Sequence, residues 1–159
     1  MGIYLNPGND DFYNTVNYSE IYIDKSMLIE YSNKLLYGEQ KFICVSRPRR
    51  FGKSMAANML TAYYNKGCCS KELFSGLKIS KSSSFEKHLN KYNVIHLNMA
   101  DFWNEANDIF KMLNFIEEDL TEELIGTYFH VEFPKRKTLM KILMTIFNAE
   151  QVSFVFVID

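Results

Sequence analysis

The residues best suited to chemistry stand together at Arg47-Pro48-Arg49-Arg50-Phe51-Gly52-Lys53-Ser54. The last three are the second half of the Walker A pattern: Gly, four residues, then Gly-Lys-Ser/Thr. Each has a physical task on a polyphosphate. Gly52 lets the backbone approach phosphate oxygens with no Cβ in the way. Backbone N–H groups of the loop and of the helix after it point at the anion, helped by the helix dipole. Lys53 reaches the β- and γ-phosphates, and the Ser54 hydroxyl is a Mg²⁺ ligand. The first half of the pattern differs. Arg47 stands five residues before Gly52, where the pattern has Gly, and Pro48 has no N–H to offer. In exchange, Arg47, Arg49, Arg50 and Lys53 gather four positive charges within seven residues. If Arg47, Arg49 and Arg50 serve this loop rather than a nucleic acid, at least one guanidinium, Arg47 best placed, is expected to be held by acidic or carbonyl partners inside the domain.

A second motif sits at the other end of the chain. Ser153-Phe154-Val155-Phe156-Val157-Ile158-Asp159 is an apolar strand-like run ending in a carboxylate, the form of a Walker B element. In open α/β sheets ligands gather at the carboxyl ends of strands, which predicts Ser46 and Asp159 at one edge. Alone, Gly-Lys-Ser is a chance tripeptide and a strand ending in Asp is common. Together, and in a strand–loop–helix setting, they favour a nucleotide site.

The elements that must hold these residues are legible in the spacing. Phe42-Ile43-Cys44-Val45 predicts a strand buried on both faces, with Cys44 a small buried hydrophobe. Ser54 to Lys66 predicts a helix: Met55, Met59 and Tyr63 recur every four residues, as do Ala56, Leu60 and Tyr64, with Gly67 as its stop. Upstream, residues 1–20 predict an irregular arm, and residues 21–159 the nucleotide-binding core. Ile21-Tyr22-Ile23 predicts a short β-like run, and Asp24 or Ser26 caps the helix after it, leaving Lys25 solvated; the alternative is that Asp24 and Lys25 contact nucleotide or the loop arginines. Ser83-Ser84-Phe85-Glu86 has the form of a capping box. Asn93 to Met99 predicts another strand. Ile109, Leu113, Ile116, Leu120 and Leu124 mark one face of a long helix closed by Gly126; Leu139, Ile142, Leu143, Ile146 and Phe147 mark a further helix. Strands alternating with helices predict a mostly parallel sheet in a three-layer α/β/α arrangement of P-loop NTPase type. Three strands are few for such a sheet, so an incomplete, N-terminal piece ending at the Walker B strand is expected.

Composition sets the frame. The chain has 159 residues, 47% hydrophobic and 23% charged, a globular balance with a net charge of −1. Phosphate affinity must therefore be local, and a general attraction to nucleic acid or membrane is excluded. Three cysteines, two of them adjacent, are not a disulfide framework, and no Cys/His spacing fits zinc. No leader and no apolar run of membrane-spanning length is visible, which predicts a cytoplasmic protein.

Tyr22-Ile23-Asp24-Lys25-Ser26 and Val45-Ser46-Arg47-Pro48-Arg49-Arg50-Phe51-Gly52-Lys53-Ser54 together resemble the AAA-ATPase-like proteins of bacteria and archaea. Glu72-Leu73-Phe74-Ser75-Gly76-Leu77 and Val94-Ile95-His96-Leu97-Asn98-Met99 extend the resemblance. In that family Arg at the first Gly position is usual. The resemblance implies ATP and Mg²⁺ as ligands, with Arg47, Pro48, Arg49, Arg50, Phe51, Gly52, Lys53, Ser54 and Met55 around the nucleotide. It implies Lys53 and Asp159 as catalytic residues, and Ser54 and Asp159 as metal ligands. Family members often carry a C-terminal restriction-endonuclease-like domain, outside these residues.

The expected function is ATP binding, with Mg²⁺-dependent hydrolysis only in the full-length protein, where a carboxylate beyond Asp159 would position water. The alternative is a non-hydrolysing nucleotide switch attached to a nuclease-like effector domain. A third reading sets Arg47, Arg49 and Arg50 on a nucleic-acid backbone; the near-neutral charge and the lack of any other basic stripe argue against it. Expected partners are nucleotide, further copies of the chain, and nucleic acid only through the C-terminal domain; no membrane is expected.

Overall fold

The computed structural model describes residues 2–159. The N-terminal half is helical: α1 (Asp10–Tyr18), α2 (Met27–Leu35), α3 (Lys53–Tyr64), α4 (Lys71–Ser75), a 3₁₀ turn (Lys78–Lys81) and α5 (Phe85–His88). Then β1 (Asn93–Leu97) leads through α6 (Met99–Ala106), α7 (Ile109–Thr127) and α8 (Leu139–Glu150) to β2 (Phe154–Ile158). The strands pair in parallel, Asn93 opposite Phe154 and Leu97 opposite Ile158. A parallel pair needs a long crossover, and the three helices between the strands supply it.

Local chemistry sets the helix ends. Asp108 accepts hydrogen bonds from the N–H groups of Phe110 and Lys111, so α7 starts there. Its Met112, Ile116, Leu120 and Leu124 recur every four residues and are buried. Asn98 caps α6 by accepting from the Ala100 N–H. In α8, Ile142 and Ile146 are fully buried.

The pleat divides the interior in two. Val94, Val155 and Val157 face a cluster built on Phe12, Ile29, Met59, Ala62, Tyr63 and Phe74. Ile95, Leu97 and Phe154 face the opposite cluster, with Phe102, Met112, Leu120, Leu124, Ile142 and Ile146. Helices thus cover both faces of a parallel pair, an α/β arrangement. On its far edge β1 is joined by the N-terminal segment: Leu5 bridges Ile95 antiparallel, and the Asn6 N–H donates to the Val94 carbonyl. Among the described residues, no helix is long and apolar enough to cross a membrane.

Several expectations are corrected. The arm expected over residues 1–20 is not irregular throughout its described part, 2–20: it contains α1, whose Phe12 is buried between Tyr22 and Phe74. The Asn- and Asp-rich composition reads as loop, yet one buried aromatic is enough to dock a short helix. Residues 41–46 form no strand, and all of them are exposed, Phe42 at 87% and Cys44 included. The segment is extended and apolar but has no ladder neighbour; burial on two faces is supplied by neighbours, not by the run itself. Ile21 and Ile23 are likewise exposed and outside any strand. The capping box does not close. Ser82 Oγ accepts from the Ser84 N–H, while Glu86 pairs with Lys71. Finally, β2 is only partly covered, with Phe156 and Ile158 exposed.

Candidate functional site at the Arg-rich loop

The loop between residues 41–46 and α3 turns twice through left-handed backbone, at Arg50 (φ 66°) and Gly52 (φ 76°). Glycine fits the second turn: a Cβ there would be strained and would meet Lys25 Nζ at 3.2 Å. Gly52 is also the N-cap of α3, its carbonyl accepting from the Ala56 N–H. The next three N–H groups, of Lys53, Ser54 and Met55, have no acceptor among the described residues, and no acidic side chain stands in the first turn. A helix start in that state carries uncompensated positive character.

Lys53 folds back across the loop. Its ammonium donates to the carbonyls of Arg47 (3.0 Å) and Pro48 (3.3 Å), tying the loop's beginning to its end. A second ammonium reaches the loop from outside: Lys25 Nζ donates to the Phe51 carbonyl at 2.8 Å. The base of Lys25 is itself clasped. Asp24 accepts from the N–H groups of Ser26 and Lys78, and the fully buried Ser26 hydroxyl accepts from the Ile79 N–H. Burial pushes the Asp24 carboxyl up, but the hydrogen bonds from Ser26 and Lys78 and the Lys78 charge outweigh it, so it lies below its ordinary value. Asp24 therefore acts on the entry to α2 through an Asx turn, and Lys25 is not simply solvated.

Asp159 lies at the carboxyl end of β2 and prolongs the ladder by one residue. Its N–H donates to the Leu97 carbonyl (2.9 Å) and its carbonyl accepts from the Met99 N–H (2.8 Å). It lines a cavity of about 390 Å³ together with Lys53, Ile43, Val45, Ala57, Leu60 and Val157. Lys41, Ile43 and Val45 of the extended segment line the same cavity as Asp159, whereas Ser46, expected at one edge with Asp159, is not part of the lining. His96 on β1 is half-buried and within the electrostatic reach of Asp159. Burial pushes its imidazole down, against the pull of Asp159 and Asp11.

The structure thus brings Lys53 and Asp159 to one cavity. Arg47, Pro48, Arg49, Arg50, Phe51, Gly52, Ser54 and Met55 are not part of its lining. The arginines are exposed, and among the described residues none of the three guanidiniums is held by a hydrogen bond or ion pair. The expectation that one of them, Arg47 above all, is anchored is therefore overturned. Among the described residues no group of three or more His, Cys, Asp and Glu is arranged to hold a metal by itself. Lys25, expected to be solvated, instead meets the loop at the Phe51 carbonyl, a contact that nothing in a 26-residue separation announces.

A family model described as a predicted AAA-ATPase matches residues 7–159. No curated protein and no solved structure gives a match to the chain. The match spans the clasp around Asp24, the Arg-rich loop, α3 and the strand ending at Asp159, and the chain belongs to the AAA-ATPase-like family.

Proposed function

We propose that the Arg-rich loop and the start of α3 bind the phosphates of ATP, and that the full-length protein hydrolyses it with Mg²⁺. The observation that carries this reading is that Lys53 and Asp159, remote in sequence, line one cavity that runs along β2 from Val155 to Asp159. The free N–H groups of Lys53, Ser54 and Met55 supply donors for phosphate oxygens. Lys53 exchanges the Arg47 and Pro48 carbonyls for β- and γ-phosphate oxygens and stabilises the charge that develops there. The parallel strands with helices on both faces support a P-loop-type α/β/α fold.

The chain's own donors fit Mg²⁺. Asp159 and the exposed Ser54 hydroxyl are hard oxygen ligands, and Mg²⁺ takes few protein ligands when phosphates and water complete its shell. When bound, the ion neutralises charge between phosphate oxygens. The guanidiniums of Arg47, Arg49 and Arg50, free of protein partners, are available to the same anion.

Calorimetry of the full-length protein tests the reading. Lys53→Ala is expected to weaken Mg-ATP binding about tenfold to a hundredfold, the scale of a lost charge-assisted contact. Equal affinity in the two proteins would overturn the assignment. Asp159→Asn is expected to erase the difference between titrations with and without Mg²⁺.

A further inference from the structure

We propose that Lys25 is a positioning residue of the phosphate loop, holding the Phe51–Gly52 peptide in the one orientation that presents the Gly52 N–H to an anion. The proposal rests on the reading of the loop as a nucleotide site and adds a residue from a different element to it.

The need for such a residue follows from the backbone. Gly52 has φ 76°, and glycine crosses between positive and negative φ at little cost. The peptide before it can therefore flip, and a flip exchanges the places of the Phe51 carbonyl and the Gly52 N–H. One orientation offers an anion a donor; the other offers it a carbonyl oxygen. Nothing inside the loop selects between them, because the Lys53 ammonium is tied to Arg47 and Pro48 at the far end. The selecting contact comes from Lys25, whose Nζ lies 2.8 Å from the Phe51 oxygen. No peptide among the described residues is cis, so the Gly52 N–H points opposite to that oxygen, away from Lys25.

Lys25 is itself mounted on a fixed base. Asp24 on one side spans the Ser26 and Lys78 amides, and Ser26 on the other is fully buried and bonded to the Ile79 amide. The side chain of Lys25 is exposed and touches no acidic partner among the described residues. Its placement on a loop carbonyl therefore does not come from an ion pair. The same ammonium lies 3.2 Å from where a Gly52 Cβ would be, so a side chain at position 52 would crowd the contact.

The experiment uses the full-length protein with Lys25→Met, which keeps the stem and removes the donor, and Lys25→Arg, which keeps a donor. Lys25→Met is expected to weaken Mg-ATP and Mg-ADP by the same factor, about tenfold, with Lys25→Arg recovering to within about threefold of wild type. In the nucleotide-free protein the Gly52 amide resonance is expected to shift or broaden in Lys25→Met alone, with the rest of α3 unmoved. Wild-type affinity in Lys25→Met would overturn the proposal. Loss for ATP but not ADP would also overturn it, since that marks a direct γ-phosphate contact. If the wild-type protein binds neither nucleotide, the reading of the site fails. The Gly52 resonance then still decides whether Lys25 holds the peptide, an unmoved signal counting against it.

Discussion

Lys53 and Gly52 do different work within two residues. Lys53 carries the charge and bridges the Arg47 and Pro48 carbonyls; Gly52 supplies the left-handed turn that starts α3 and leaves room for Lys25. Gly52→Ala should therefore cost about 1–2 kcal/mol of stability from the strained φ alone, read as a lower urea midpoint with unchanged slope. It should also weaken nucleotide binding, because the added methyl crowds the Lys25 ammonium. A residue of another kind anchors α2 to α3. The Tyr64 hydroxyl donates to Asn33 Oδ1 at 2.8 Å and shares a 2.6 Å hydrogen bond with Ser32, all three buried. Tyr64→Phe removes almost no volume but leaves the Asn33 oxygen without that donor. We expect a loss of about 1–3 kcal/mol by chemical denaturation, and a loss near zero would mean the network relaxes onto other partners.

At the scale of elements, the start of α2 is tied to the 3₁₀ turn Lys78–Lys81 through Asp24 and Ser26. The Asp24 pKa is lowered from an ordinary value of 3.8, so the folded chain favours the carboxylate. Its contribution is fully present above that ordinary value and is lost as pH falls through the lower folded-state value. Asp24→Ala should cost about 1 kcal/mol at neutral pH, discounted for exposure. The gap to wild type should close on acidification below pH ~4; a gap constant with pH would show that charge plays no part. The same scale shows what could be read in advance. Helices α3, α7 and α8 were legible because their apolar residues recur every four positions, and β1 and β2 because short apolar runs stand between helices. The run at 42–45 looks the same in sequence and is exposed, since no neighbouring strand pairs with it. Helix α1 was hidden by its Asn and Asp content, and α6 by its shortness. The Gly-Lys-Ser core of the site was legible as a motif, whereas Lys25 was not, because its contact is made only after α2 packs beside the loop.

At the scale of the molecule, a chain of net charge −1 displays on one turn three guanidiniums that have no partner among the described residues. Either a polyphosphate or a nucleic-acid backbone could meet them, and the two differ in their response to salt. We expect weak DNA binding by the full-length protein that is erased by moderate salt and competed away by Mg-ATP. Tight binding in a mobility-shift assay, unaffected by saturating nucleotide, would move the arginines to a nucleic-acid role. The central claim concerns two residues of one cavity, Lys53 at the start of α3 and Asp159 at the end of β2, in a fold with a parallel strand pair and helices on both faces. Amide spectra of the labelled full-length protein titrated with Mg-ATP test it most directly. The account predicts that the N–H resonances of Gly52, Lys53, Ser54 and Met55 move first and farthest, with Asp159 following only when Mg²⁺ is present. Saturable nucleotide binding that leaves those four amides unmoved and shifts resonances elsewhere would contradict it.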